Sequence, residues 1–145
     1  MDQDLTPIDI LLVEDNPQDV EITMRALKKQ KVKNRVIVAR DGQEALDLLL
    51  SSNGNAPGLI LLDLNLPKVS GREVLERIKQ EPNLKRIPVV VLTTSTRDED
   101  VARAYDLGVN TFITKPVKFD NFMEVVATIR DYWIVVATLP KVKRN

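Results

Sequence analysis

The 145-residue chain contains no cysteine and no histidine. Without cysteine there can be no disulfide and no thiol nucleophile, and without histidine there is no imidazole base. Together the two absences remove the usual zinc ligands. A metal bound here must be held through oxygen, which narrows the choice to Mg²⁺, Mn²⁺ or Ca²⁺. An excess of charge is also missing: Lys+Arg and Asp+Glu stand at 21 each. No global field therefore draws the protein to nucleic acid or to an anionic membrane, and neither is expected as a direct partner. No apolar stretch is long enough to span a bilayer, and Asp2, Gln3 and Asp4 give the start an acidic, polar character unlike a signal peptide. These absences fit a cytoplasmic location. Linkers, repeats and low-complexity tracts are absent as well.

What remains is an ordinary globular composition, 43% hydrophobic and 29% charged. A chain of this length fits one domain and can bury about two thirds of its unfolded surface. The sequence predicts a single unit over 1–145, with a core at about 8–130 and an extended helix and tail over 131–145. Short apolar runs occur at Ile8–Val13, Val36–Ala39, Leu59–Leu62, Val89–Leu92 and Thr111–Thr114. Most are apolar throughout rather than alternating, as parallel strands buried on both faces are. Helix starts lie between them. Pro17 follows Asn16 at a first helical position. Asp41 with Glu44, Ser70 with Glu73 and Thr96 with Glu99 have capping-box spacing. Gly108 suits a left-handed helix exit, and Glu81-Pro82 ends another helix. The order is β–α throughout, which predicts an α/β fold: a doubly wound, five-stranded parallel sheet with helices on both faces. The stretch Ser51–Gly58 is expected as a loop at the amino edge of that sheet. Lys141, Lys143 and Arg144 read as a solvated basic terminus.

If the runs are parallel strands, Glu14, Asp15, Asp63, Thr93 and Lys115 converge at the carboxyl edge of the sheet. Open α/β sheets place their chemistry there. Taken singly, each residue has a bland explanation: an acid capping the next helix, a threonine at a strand end, a lysine reaching solvent. Taken together, carboxylates on adjacent strands repel one another and call for a cation. Mg²⁺ suits the position because it takes one or two carboxylates and leaves room for a phosphoryl oxygen, and Mn²⁺ is an alternative. Lys115 would add a compact positive charge and Thr93 a hydroxyl donor. Asp63 is then the natural nucleophile, since a carboxylate can accept a phosphoryl group as a mixed anhydride and needs no base at pH 7.

The pieces LLVEDN, LLDLNLP followed by Gly71, VVLTTS and TKP, in this order and with fitting separations, resemble the receiver domain of two-component response regulators. The resemblance spans roughly residues 8–130 and implies the flavodoxin-like receiver fold. It implies that Asp63 accepts a phosphoryl group from a histidine kinase. It also implies that Glu14, Asp15 and Asp63 bind Mg²⁺ together with the backbone carbonyl of Asn65. Thr93 and Lys115 would hold phosphoryl oxygens, Lys115-Pro116 would be cis, and Thr93 with Phe112 would form a conformational switch. Asn65 and Ser95 fall where the family tunes the lifetime of the phosphoryl group, and Thr94 stands where many receivers carry alanine or glycine. The stretches VEDNPQDVEIT, VVVLTTS and DYWIVVATLP further resemble the small regulators partnered with cyanobacterial and bacterial phytochromes. With no output domain following in this sequence, the expectation is a single-domain, cytoplasmic regulator whose only catalysis is its own phosphoryl transfer and dephosphorylation.

Three rival functions fit less well. A haloacid-dehalogenase-type phosphatase with an aspartate nucleophile and Mg²⁺ wants a second acid two residues later, where this chain has Asn65. A flavodoxin-like FMN carrier would find its phosphate repelled by EDNPQD. A receiver-like module that binds protein without phosphorylation has no need of the full set of five residues. Finally, Phe122, Val125, Val126, Ile129, Trp133 and Val136 recur at helical spacing, and Ile134, Val135 and Ala137 widen the apolar surface. More apolar surface than one sheet face can cover predicts a homodimer with Trp133, Ile134 and Val136 at its interface.

Overall fold

The computed structural model describes residues 9–32, 34–51, 56–93, 106, 108, 111–114, 124 and 127, with Thr93 and 111–114 described by their backbone alone. Five strands, β1 (Ile10–Val13), β2 (Val36–Ala39), β3 (Leu59–Leu62), β4 (Val89–Thr93) and β5 (Thr111–Thr114), form one parallel sheet in the order β2-β1-β3-β4-β5. Three helices lie between the first four strands: α1 (Pro17–Lys29), α2 (Gly42–Leu50) and α3 (Gly71–Gln80). The chain leaves β1 for one neighbour, β2, and returns to the other side of β1 as β3. That reversal opens a crevice at the carboxyl ends of β1 and β3, the usual ligand position in such sheets.

Over β1, β3 and β4 both faces of the sheet are covered. Leu11, Val13, Ile60, Leu62, Val89 and Val91 point to one side and pack with Ala45, Leu46 and Leu49 of α2 and Val74, Leu75 and Ile78 of α3. Ile10, Leu12, Leu59, Leu61, Val90 and Leu92 point to the other and pack with Val20, Ala26 and Leu27 of α1. This alternation is why β1 and β3 are apolar at every position, and each fully buried leucine or isoleucine contributes about 1.5–3 kcal/mol. β2 lies at the sheet edge and is only half-buried over its first three residues.

Helix starts follow local chemistry. Asn16 Oδ1 accepts from the Gln18 and Asp19 N–H groups at 2.9 and 3.2 Å, with Pro17 in the first turn. Ser70 and Glu73 form a complete capping box. Asp41 caps α2 by accepting from Glu44 N–H at 2.7 Å, while Glu44 Oε1 accepts from Arg40 N–H at 2.6 Å. α3 stops at Glu81, whose extended backbone (ψ 119°) precedes Pro82. Gly108 has a left-handed φ of 91°. Gly58 N–H donates to Asp9 carbonyl oxygen at 2.9 Å, so the described end of the 51–58 loop lies at the amino edge of the sheet. The Thr96 cap and the segment over 131–145 lie outside the described residues.

Candidate functional site

Glu14 and Asp63 are the residues that follow the last positions of β1 and β3, and the sheet pairing continues into them. Val13 pairs with Leu62 in register, Asp63 N–H donates to Val13 carbonyl oxygen at 3.0 Å, and Glu14 N–H donates to Ala39 carbonyl oxygen at 2.9 Å. Glu14 and Asp63 are thereby drawn into the crevice and retain only 3% and 7% of their exposure, whereas Asp15 is exposed. One carboxylate oxygen from each of Glu14, Asp15 and Asp63 lies within 4.8 Å of the others.

Backbone amides brace the two buried acids. Asn16 N–H donates to Glu14 Oε2 at 3.3 Å, and Asn65 N–H donates to Asp63 Oδ1 at 3.0 Å. Each acid is thus held by the loop that follows it. The loop after Asp63 is shaped in turn by the start of α3: Gly71 N–H donates to Leu64 carbonyl oxygen at 3.0 Å. A Cβ at Gly71 would overlap the Asp63 carbonyl oxygen and Leu64 Cα. A second close approach lies further along, where a Cβ at Gly42 would overlap the Val69 carbonyl. Between these contacts sits Lys68, in the left-handed region at φ 65°, with Nζ 3.5 Å from Asp41 Oδ2. The Asp41 carboxyl is held below its ordinary pKa, first by the Glu44 N–H and then, against an opposing effect of burial, by the Lys68 charge.

The chemistry of this donor set fits a hard divalent cation. Three convergent carboxylates with no nitrogen or sulfur ligand match the oxygen preference of Mg²⁺ and Mn²⁺. Asn65 is placed two residues beyond Asp63 on the same loop. Thr93 ends β4 and pairs with Thr114 of β5, so the backbone of both strands ends at the same edge as the acids. Phe112 pairs with Val91 within the sheet. Lys115, Pro116, Thr94, Ser95, Trp133, Ile134 and Val136 lie outside the described residues.

A family model, the response regulator receiver domain, matches residues 10–127. The chain belongs to that family. Response regulator Rcp1 of Synechocystis sp. is 45% identical to this receiver over 143 residues, which cover 96% of this chain and 97% of Rcp1. The crystal structure of the Mn²⁺-bound form of response regulator Rcp1 matches with a TM-score of 0.85 and 46% identity, covering 92% of this chain and 99% of that one. The phosphorylated cyanobacterial phytochrome response regulator RcpA matches with a TM-score of 0.86 and 46% identity, over 92% of this chain and 99% of that one. A probable methanogenesis regulatory protein, FilR2 of Methanothrix harundinacea, is 46% identical over 131 residues, covering 88% of this chain and 84% of FilR2. The α/β receiver fold expected from the sequence is the one observed. Among the described residues no helix is long and apolar enough to cross a membrane.

Lys68 had no signal in the sequence. Left-handed corners are foretold by glycine or asparagine, and a lysine there is silent. Gly42 could be read as the glycine after an N-cap, but the need for it comes from Val69, which only the fold brings close.

Proposed function

We propose that this receiver is a response regulator that accepts a phosphoryl group on Asp63 from a phosphohistidine of a histidine kinase. The observation that carries the reading is the burial of Asp63 within a cluster of three carboxylates at the β1/β3 crevice. An aspartate so crowded by like charge is costly unless the site works on a cation and an anion together. In the transfer an Asp63 carboxylate oxygen bonds to phosphorus as the phosphorus–nitrogen bond of the donor breaks, and that electron pair leaves with the imidazole. Asn65 N–H, bound to Asp63 Oδ1, orients the carboxylate for this attack. Glu14, Asp15, Asp63 and the Asn65 carbonyl are assigned to a Mg²⁺ or Mn²⁺ ion, which when bound offsets the carboxylate charge and draws charge from the phosphoryl oxygens. Thr93 and Lys115 are assigned to those oxygens, and Thr93 with Phe112 to the switch that reports them. No catalysis beyond the protein's own phosphoryl transfer and dephosphorylation is required.

The kinase we assign is a phytochrome, and the working form a cytoplasmic homodimer through Trp133, Ile134 and Val136. The likeness to the cyanobacterial phytochrome response regulator RcpA supports the phytochrome partner. The apolar breadth of 133–136 supports the dimer. Incubation with acetyl phosphate and Mg²⁺, read by intact mass, tests the central claim. Wild type should gain one phosphoryl group and Asp63→Asn none, with the circular dichroism of both alike. A phosphorylated Asp63→Asn would overturn the assignment. Sedimentation of the full chain against one ending at Arg130 tests the dimer, and a full-length monomer at concentrations of tens of micromolar would rule it out.

A further inference from the structure

Asp41 uses its two carboxylate oxygens on two different elements. Oδ1 accepts the Glu44 N–H at 2.7 Å and fixes the start of α2. Oδ2 faces Lys68 Nζ at 3.5 Å, on the loop that carries Asp63 and Asn65. Lys68 holds a left-handed backbone at φ 65°, a conformation that disfavours a residue with a Cβ. Relaxing that corner would swing the loop between Asn65 and Ser70, because Gly71 is anchored to Leu64 at its far end. Beside the corner the Val69 carbonyl lies against Gly42, the first residue of α2. The loop is thus clamped to α2 at two adjacent points, one steric and one ionic, three and four residues beyond Asn65.

We propose that Asp41 and Lys68 are positioning residues whose ion pair holds the β3–α3 loop, and through Asn65 the Asp63 carboxylate, in the geometry that binds metal and phosphoryl group. This rests on the reading of Asp63 as phosphoacceptor. The Lys68 charge is paired with Asp41, so it acts through the loop and the Asn65 amide bound to Asp63 and not on the reacting atoms. The carboxylate that receives it is already fixed by its hydrogen bond to α2, so little conformational freedom is lost on that side when the pair forms. An exposed pair is modest in strength, so the effect expected is about twofold and salt-sensitive.

The test uses the full chain as wild type, Lys68→Met, Lys68→Arg, Asp41→Asn and the Lys68→Met/Asp41→Asn double variant. Asparagine keeps the helix cap and removes only the charge. Three readouts are taken in low salt and at high salt: exchange of the Asn65 amide in the metal-free protein, the Mn²⁺ dissociation constant, and the rate of phosphorylation by acetyl phosphate. Lys68→Met and Asp41→Asn should each speed exchange and weaken Mn²⁺ by about twofold, with the double variant no worse than either. Lys68→Arg should restore wild-type values, and high salt should bring wild type to the level of the variants. Additive single effects, unchanged exchange and Mn²⁺ affinity, or failure of arginine to restore them would overturn the proposal. A wild type that takes no phosphoryl group would instead overturn the phosphoacceptor reading, while exchange and Mn²⁺ affinity still decide the pair.

Discussion

Gly71 and Asp63 are eight positions apart in sequence, yet the start of α3 presses against the backbone of the phosphoacceptor so closely that no Cβ fits between them. The overlapping atoms are the Asp63 carbonyl oxygen and Leu64 Cα, which are main chain and have no rotamer to yield. Any side chain at 71 must push α3 away from the crevice or push Asp63 out of it. Gly71→Ala should therefore destabilise the protein by about 2 kcal/mol or more, the range of overpacking in a rigid site, and lower Mn²⁺ affinity at the same time. Urea unfolding and metal titration check the pair of effects. An alanine variant with wild-type stability and wild-type metal affinity would contradict the close approach.

Asp15 is the exposed member of the acidic cluster, so its removal relieves repulsion without opening a cavity. Asp15→Ala should melt higher than wild type in the absence of divalent metal, by roughly 1–3 °C. In Mg²⁺ or Mn²⁺ the order should reverse. At a hundredfold excess over its dissociation constant a metal stabilises the folded state by about 2.7 kcal/mol, and the variant should lose most of that gain. Melts with and without metal read both halves. A variant less stable than wild type without metal would count against a crowded cluster.

The strands and most caps were legible because their signals are local. β1 and β3 are apolar at every position since each is covered on both faces, and Ser70 with Glu73 forms a capping box within four residues. The acidic cluster was legible for the same reason: each of its members ends a readable strand or follows its partner in sequence. Boundaries were less sharp. Asp9 of the expected first run stays outside β1, which begins at Ile10, and β4 runs on to Thr93. At α2 the box spacing of Asp41 and Glu44 was half right, since Glu44 turns to the Arg40 N–H, one residue before the cap. What could not be read was anything that depends on which loops meet. The order β2-β1-β3-β4-β5, the contact of Gly42 with Val69 and the pairing of Asp41 with Lys68 all join segments distant in sequence.

Lys31 is a second lysine in the left-handed region, at φ 61°, just beyond α1. Val32 N–H donates back to Leu27 carbonyl oxygen at 2.9 Å and Lys31 N–H to Lys28 carbonyl oxygen at 3.0 Å, closing the helix end around it. Its side chain is exposed, so the backbone conformation is the main thing a substitution changes. Glycine removes the clash of Cβ with the carbonyl in this conformation but adds freedom to the unfolded chain. Relief of the clash outweighs the added freedom, and Lys31→Gly should stabilise by about 0.5 kcal/mol. Chemical denaturation measures it, and a loss of stability would show that the corner does not need a left-handed residue.

The depressed pKa of Asp41 gives its contribution a definite dependence on pH. The Glu44 N–H and the Lys68 charge both favour the ionised carboxylate in the folded state, so the folded pKa lies below the ordinary aspartate value of 3.8. Between the two values the unfolded chain binds more protons than the folded one, and stability falls as the solution is acidified. Above the unfolded value the contribution is complete and constant; as pH drops through the folded value it disappears. Asp41→Asn keeps the cap but cannot titrate, so the difference between the two proteins reads the Asp41 carboxyl. Wild type should therefore exceed Asp41→Asn in stability by a fixed margin from pH 7 down to about 5, one unit above the unfolded value. The margin should close on further acidification and be smallest at the lowest pH at which the protein still folds. Urea midpoints for the two proteins across this range, compared at each pH, give the margin directly. A margin that stayed constant or widened toward acid would mean that the Asp41 charge is not what the head of α2 and Lys68 recognise.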